Sequence, residues 1–206
     1  MNNRLNLNAL YLEVIDAKHA KWPNAKQYIS ERYQLAFDAR LNGYMPAFMA
    51  LMQGDEFASL CGFRGAEQGT LFLEQYLDDD ASTLLSAQFA THIERHQLVE
   101  FGQLASFNKG FSLVHFFLIA EALVKRNYQW CIFTATDPLY AMMRRFGLPL
   151  RIIADADPNR IPNASEIWGT YYQHQPRIVA GNLIQGLARL SKLMPDNDSQ
   201  AMGDSL

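Results

Sequence analysis

The sequence has no long hydrophobic run, no basic cluster and very little cysteine. No window approaches the roughly 20 apolar residues of a membrane-spanning helix, so we expect no membrane span. The first residues, MNNRLNLNALYLEVIDAKH, contain several asparagines and no uninterrupted apolar core, so we expect no secretory signal. The net charge is −3 without a basic run, which argues against nucleic acid as a partner. These absences predict a cytoplasmic protein.

Metal-binding patterns are missing as well. The two cysteines, Cys61 and Cys131, lie in the apolar runs FASLCGF and WCIFTA, without CxxC or Cys/His spacing. We expect both to be buried free thiols in a reducing compartment. The acidic run Asp78-Asp79-Asp80 is typical of a solvated connection that ends at a helix N-cap. The sequence therefore predicts no metal site.

The length and the apolar fraction of 49% fit one domain over residues 1–194. The polar segment Pro195–Leu206 has the composition of a disordered tail. Hydrophobic periodicity predicts the element order β-α-ββ-αα-β-α-β-α-β-β-α. Between Gln97 and Thr136 this order contains a β-α-β unit, which requires parallel strands and a right-handed crossover. We expect an α/β (α+β) fold with a mixed sheet flanked by helices.

Turn and capping residues locate several elements. Pro23–Leu41 is a predicted helix with proline in its first turn, and Ser82–Arg95 is another. The apolar runs Pro46–Met52 and Glu56–Arg64 flank Gln-Gly-Asp, which is typical of a hairpin. Ile167–Tyr172 is a predicted strand.

The segment LVEFGQLASFNKG, residues Leu98–Gly110, combines a strand, one carboxylate and a polar turn that contains glycine. An amphipathic helix, Phe111–Lys125, follows at once. Free backbone N–H groups and the helix dipole make such a junction suitable for an anion. Glu100, a few residues upstream, could perform proton chemistry beside that anion. The alternative is a plain strand–turn–helix junction.

The element order resembles the GNAT acyltransferase fold. A closer resemblance rests on four blocks in order: VEFGQLASFNKG, FTATDPLYAMMRRFGLPL, ADADPNRIP and WGTYYQHQPRIVAG. They look like successive blocks of the bacterial thermostable hemolysin family, over Tyr28–Gly186. That family is similar to the N-acyl-homoserine-lactone synthases. The resemblance implies a mostly antiparallel twisted sheet with a β-α-β unit that binds the acyl donor, and helices inserted before its fourth strand.

The resemblance also implies roles for residues of the fourth strand. Glu100 matches an acidic position and would accept the proton of an amine. Gln103 stands where the lactone synthases place arginine, so the resemblance supplies no carboxylate-binding arginine there. The backbone amides around Gln103 and Leu104 would polarise the thioester carbonyl of the donor.

Further positions would hold the donor. The turn Ser106–Gly110 matches the pyrophosphate loop of the GNAT enzymes, although it contains a single glycine. Lys109 would neutralise a phosphate, and the amides of Gly110, Phe111 and Ser112 would donate to it. Thr134 would lie beside the pantetheine arm. A general-acid tyrosine of many GNAT enzymes is replaced by Met143, with Tyr140 one turn away.

Each of these residues has a structural alternative. Glu100 could instead pair with a neighbouring Arg or Lys, and Ser106 or Asn108 could simply cap the helix. Thr134 is also an ordinary strand residue. The aromatic group Trp168, Tyr171 and Tyr172 suits either core packing or the lining of an acyl pocket.

Taken together, the resemblance implies an acyltransferase that moves an acyl group from acyl-CoA or acyl carrier protein to a small-molecule amine such as an amino acid. No metal is required, and acyl carrier protein is the expected macromolecular partner if it is the donor. The alternatives are a membrane-active hemolysin, as the family name implies, and a non-catalytic GNAT-like domain that binds acyl carrier protein or lipid. The sequence has no strongly cationic amphipathic helix to support membrane activity.

Overall fold

The structure is a computed structural model that describes residues 9–106 and 110–194. The predicted tail 195–206 and Lys109 lie outside the described residues. The strands are β1 (Leu10–Asp16), β2 (Ala47–Gln53), β3 (Glu56–Gly65), β4 (Leu98–Ser106), β5 (Trp130–Ala135), β6 (Leu150–Asp155) and β7 (Arg177–Asn182). The α-helices are α1 (Trp22–Phe37), α2 (Ala81–Phe89), α3 (Ser112–Val124), α4 (Asp137–Arg145), α5 (Ala164–Trp168) and α6 (Leu183–Ser191).

The strands form one seven-stranded sheet in the order β1-β2-β3-β4-β5-β7-β6. β4 and β5 run parallel and α3 connects them, whereas the other neighbouring pairs among the described strands are antiparallel. The predicted mixed, mostly antiparallel sheet with one β-α-β unit is therefore confirmed. A hydrogen-bonded sheet of this order places β4 and β5 at its centre.

Local sequence explains most element boundaries. The hairpin β2–β3 turns at Gly54, whose φ of 61° is the left-handed conformation that glycine adopts without strain. Asp80 caps α2 by accepting a hydrogen bond from the backbone N–H of Thr83 at 3.1 Å, as expected for the acidic run. Helices α1 and α2 end earlier than predicted, because Asp38 and Ala90 adopt left-handed conformations with φ of 54° and 51°.

The predicted strand Ile167–Tyr172 is wrong. The short helix α5 and a 3₁₀ turn, Tyr171–His174, occupy this region and are separated by Gly169 at φ 54°. The aromatic rings pack on α1 instead of on a pleated surface, with Phe37 and Tyr171 centroids 5.1 Å apart. The backbone N–H of Thr170 donates to the carbonyl of Phe37 at 2.7 Å, so tertiary contacts override the β-propensity of this aromatic run.

Helices cover both faces of the sheet. α3, α4 and α6 pack on one face, around Val99, Phe133 and Val179. The opposite face carries α1, α2, α5 and a 3₁₀ segment, Phe72–Tyr76, which we name the strap. Cys61 and Cys131 are buried free thiols, as predicted. Within the described ranges, no helix is both long and apolar enough to cross a membrane.

Candidate active site

The central parallel strands separate before they end. β4 and β5 pair from Leu98 opposite Trp130 to Phe101 opposite Phe133. β4 then continues to Ser106 and β5 to Ala135. A cavity of about 700 Å³ opens where they diverge, and residues from both sheet faces line it. This volume falls within the range of small-molecule sites.

A bulge in β4 helps to produce the divergence. Leu60 and Gly62 of β3 lie opposite Ala105 and Gly102, so β4 contains one extra residue between these pairs. Gln103 sits in the bulge with a φ of 51°, a conformation that is unfavourable for a residue with a side chain. Its side-chain amide accepts from the backbone N–H of Met45 at 2.9 Å and donates to the carbonyl of Gly43 at 2.8 Å. These bonds hold the strained backbone in place.

Glu100 lines the cavity just before the bulge and is only 2% exposed. Its Oε2 accepts from the backbone N–H of Phe72 at 2.9 Å, and Oε1 accepts from that of Leu73 at 3.0 Å. The partner is therefore the start of the strap, rather than the Arg or Lys side chain of the structural alternative. Each carboxylate oxygen keeps a further lone pair for a substrate or water.

The surroundings of Glu100 change its acidity. Burial raises the pKa of this carboxyl to about 7, although the two N–H donors and the positive charge of Arg64 act in the opposite direction. A carboxyl with a pKa of about 7 can accept a proton near neutral pH and can also return it. Perturbed titratable groups inside a cavity are characteristic of functional sites.

Arg64 is a cavity residue that the sequence analysis missed. It lies on β3 directly opposite Glu100, and its Nη1 donates to the carbonyl of Thr70 at 3.0 Å. Residues that are opposite each other on antiparallel strands project from the same face. In the sequence, Arg64 is marked only as a lone basic residue at the end of the apolar run FASLCGFRG. Its proximity to Glu100 depends on the β3–β4 register.

Apolar and aromatic side chains form most of the remaining wall. The strap and α5 contribute Phe72, Tyr76 and Trp168, and the rings of Phe72 and Trp168 are 5.8 Å apart. On the other face the wall comes from three helices through Phe116, Ile119, Ala120, Met143, Leu183 and Leu190. Among the predicted aromatic residues, Trp168 and Tyr171 line the cavity, while Tyr172 hydrogen-bonds the hydroxyl of Tyr76 at 2.7 Å.

The structure brings together only part of the predicted set. Glu100, Gln103, Leu104 and Thr134 line the cavity. Within the described chain, the cavity lining does not include Ser106, Gly110, Phe111 or Ser112. The ring of Phe111 instead packs in a small core with Leu51 and Val114. The carbonyl of Ser106 accepts from Arg32 at 2.9 Å. Their role in donor binding stays a prediction, and Lys109 falls outside the described residues.

Helix α3 begins directly after Phe111. Phe111 occupies the N-cap position, and its side chain makes no capping hydrogen bond. Capping of this helix by Ser106 or Asn108 stays an alternative prediction, and Asn108 lies outside the described residues.

The position of the general-acid tyrosine is occupied by Met143, and Tyr140 does not line the cavity. Met143 lines the cavity but carries no acidic proton. The ring of Tyr140 lies against the guanidinium of Arg177, whose central carbon is 5.2 Å from the ring centroid. Within the described residues, no cluster of three or more His, Cys, Asp or Glu side chains is arranged to hold a metal ion.

Comparisons with known proteins agree with the fold of the chain. A sequence family described as "Thermostable hemolysin" matches residues 15–187. No curated protein matches the chain. FeeM, an N-acyl amino acid synthase from uncultured soil microbes, has a similar structure, with 11% identity, a TM-score of 0.59 and coverage of 90% of this chain and 98% of FeeM.

Two further solved structures share the architecture. The AHL synthase LasI is 13% identical, with a TM-score of 0.56 and coverage of 84% of this chain and 90% of LasI. BjaI, a CoA-dependent acyl-homoserine lactone synthase, is 10% identical, with a TM-score of 0.55 and coverage of 91% of each chain. At these identities the likeness shows a common fold, and that fold is the GNAT-like one found in acyl-transferring synthases.

Proposed function

The chain belongs to the thermostable hemolysin family, and from that membership and its fold we propose that it is an N-acyltransferase. The donor is a pantetheine thioester, either acyl-CoA or acyl carrier protein, and the acceptor is a small amine such as an amino acid. One observation carries the proposal: a buried carboxyl with a pKa of about 7 lines a largely apolar cavity at the divergence of β4 and β5.

Glu100 acts as the general base in this proposal. The neutral amine attacks the thioester carbonyl carbon, and its proton passes to Glu100 directly or through one water. Backbone N–H groups of the bulged strand around Gln103 and Leu104 stabilise the negative charge on the carbonyl oxygen. The C–S bond then breaks and yields an amide. The thiolate that leaves takes a proton from Glu100 or from water, so no tyrosine is needed.

The donor binds along the divergence of the strands. Thr134 lies on the β5 wall, where a pantetheine arm can pass between β4 and β5. The N-terminus of α3, a helix of 13 residues, favours a negatively charged phosphate through its dipole and its first N–H groups. Gly110, Phe111, Ser112 and Lys109 are the proposed contacts there. The apolar wall formed by α3, α4 and α6 accommodates the acyl chain.

The hydrogen bonds of Glu100 favour a second candidate function. Both carboxylate oxygens hold backbone N–H groups of the strap, which is a structural task. A protein that binds acyl groups without transferring them would use Glu100 in this way. The two candidates differ in one measurable respect, because only the acyltransferase forms an amide product.

The test is a product assay by mass spectrometry. Purified protein is incubated with a panel of acyl-CoA and acyl-carrier-protein donors and with amino acids. We expect acylated amino acids from the wild type and at least 100-fold less from Glu100→Gln, which follows the usual magnitude of general-base catalysis. Binding of donor without product, across the panel, would support the non-catalytic candidate.

Glu74→Gln is the matched control. Glu74 also accepts hydrogen bonds from the same region, at 2.7 Å from Leu71 N–H and 2.9 Å from Ala81 N–H, but it does not line the cavity. If the strap is merely loosened, both variants lose activity to a similar extent. If Glu100 is the base, Glu74→Gln retains most of the activity.

A further inference from the structure

Arg64 and Glu100 are side chains of opposite charge that lie near each other without forming an ion pair. They lie directly opposite on β3 and β4 and both line the cavity. Both are described residues, and they form no ion pair with each other within 4.0 Å; across the described chain, no carboxylate lies that close to the Arg64 guanidinium. One of its nitrogens donates to the carbonyl of Thr70. A guanidinium has five N–H donors, so further donors remain.

The position of the two side chains, directly opposite each other on neighbouring strands, suits a zwitterion. Opposite residues on antiparallel strands have Cβ atoms about 4.5–5.5 Å apart. An α-amino acid carries its amine and its carboxylate on the same carbon, so one molecule can contact both side chains. The guanidinium is planar and can bind a carboxylate through two parallel hydrogen bonds. The carboxyl of Glu100 is then beside the amine.

Gln103 cannot perform this task from its observed position. Its amide is engaged by the backbone at Gly43 and Met45. Arg160, another arginine near the strap, donates to the carbonyls of Tyr76 and Leu77 and pairs with Asp78 at 2.9 Å, outside the cavity lining. Arg64 is thus the arginine that lines the cavity among the described residues.

We propose that Arg64 binds the carboxylate of an α-amino acid acceptor and so places its amine beside Glu100. This inference rests on the proposed acyltransferase function and names the acceptor class for that site. Arg64 is a substrate-binding residue, and it selects acceptors with a free carboxylate over their amides. The phosphate of the acyl donor is bound elsewhere, at α3.

The test compares acids with amides in the absence of any acyl donor. Ligand-observed NMR titrations use L-phenylalanine and L-leucine beside L-phenylalaninamide and L-leucinamide. We expect the wild type to prefer the acids. Arg64→Gln should weaken acid binding roughly 10- to 100-fold, the usual range for a lost charge-assisted pair, and leave amide binding unchanged. Arg64→Lys, which keeps the charge, should restore part of the preference.

Arg160→Gln is the matched control, because it removes an arginine that holds the strap from outside the cavity. It should retain the preference for acids. The inference would be overturned if the wild type bound acids and amides equally or bound neither. An equal loss of acid binding in Arg160→Gln would also overturn it. Weaker binding of CoA, rather than of the acid, in Arg64→Gln would assign Arg64 to the donor phosphate instead.

This experiment is independent of catalysis. If no donor yields product but the acid preference exists and depends on Arg64, the acceptor site stands and the acyltransferase proposal fails. If product forms equally well from acids and amides, the acyltransferase proposal stands and the role of Arg64 as the acceptor site fails. In the product assay, the effect of Arg64→Gln should appear in the KM for the acid acceptor, with kcat changing less.

Discussion

The buried carboxyl of Glu100 makes a quantitative prediction about stability. Its pKa rises from an ordinary value of 4.5 to about 7 in the folded protein, mainly because of burial. The folded state therefore keeps the proton over a pH range in which the unfolded chain has lost it. Stability falls as the pH rises through this range, because ionisation is more costly inside the protein.

The magnitude follows from proton linkage. Between about pH 5 and about pH 8.5, one carboxyl with these two pKa values lowers the free energy of unfolding by about 2.5 kcal/mol. Glu100→Gln cannot ionise and escapes this loss. Relative to wild type, the variant should gain about 2.5 kcal/mol across the range, or about 5–10 °C in Tm for a chain of this size. The variant also loses a hydrogen bond, which changes its free energy of unfolding by the same amount at every pH.

The assay is thermal unfolding of both proteins at intervals across that pH range, with urea unfolding at the two ends. Parallel curves for wild type and Glu100→Gln would refute the raised pKa of Glu100. Glu74→Gln provides a control, because the pKa of Glu74 is shifted in the opposite direction from that of Glu100. Burial raises the pKa of Glu74, but the Arg95 side chain and the N–H groups of Ala81 and Leu71 outweigh it and lower the pKa overall. The contribution of Glu74 is present above its ordinary pKa of 4.5 and is lost as the pH falls below that value. The difference in stability between Glu74→Gln and wild type should therefore stay nearly constant across the assayed range and shrink only at more acidic pH.

Two further predictions concern α3. Burial lowers the pKa of His115 from 6.5 to about 4, so the folded protein should lose about 3 kcal/mol as the pH falls between these values. In urea unfolding, His115→Leu should remove this loss of stability at acidic pH. An unchanged loss in the variant would contradict a buried, neutral His115 as its cause. Ala120 is 5% exposed and lines the cavity, so Ala120→Leu should shift the product assay toward shorter acyl donors. Ala122→Leu, on the same helix but outside the lining, should leave the preference unchanged.

Local sequence was sufficient for most of the architecture. The hairpin around Gly54, the capping of α2 by Asp80 and the β-α-β unit follow from turn chemistry and hydrophobic periodicity, which act between near neighbours. The match to the thermostable hemolysin family over residues 15–187 confirms the resemblance carried by the four blocks. The prediction failed at Ile167–Tyr172, where aromatic residues with high β-propensity pack as helical turns on α1.

The sequence by itself determined most of the elements, the parallel pair of the β-α-β unit and the carboxylate on the first strand of that unit. Tertiary structure decided what surrounds that carboxylate. The strap reaches Glu100 from 27 and 28 residues away, and Gln103 fixes a loop 58 and 60 residues away. The register of β3 on β4 places Arg64 opposite Glu100. No local pattern encodes such pairings, because they depend on which distant segments meet when the sheet and its helices pack together.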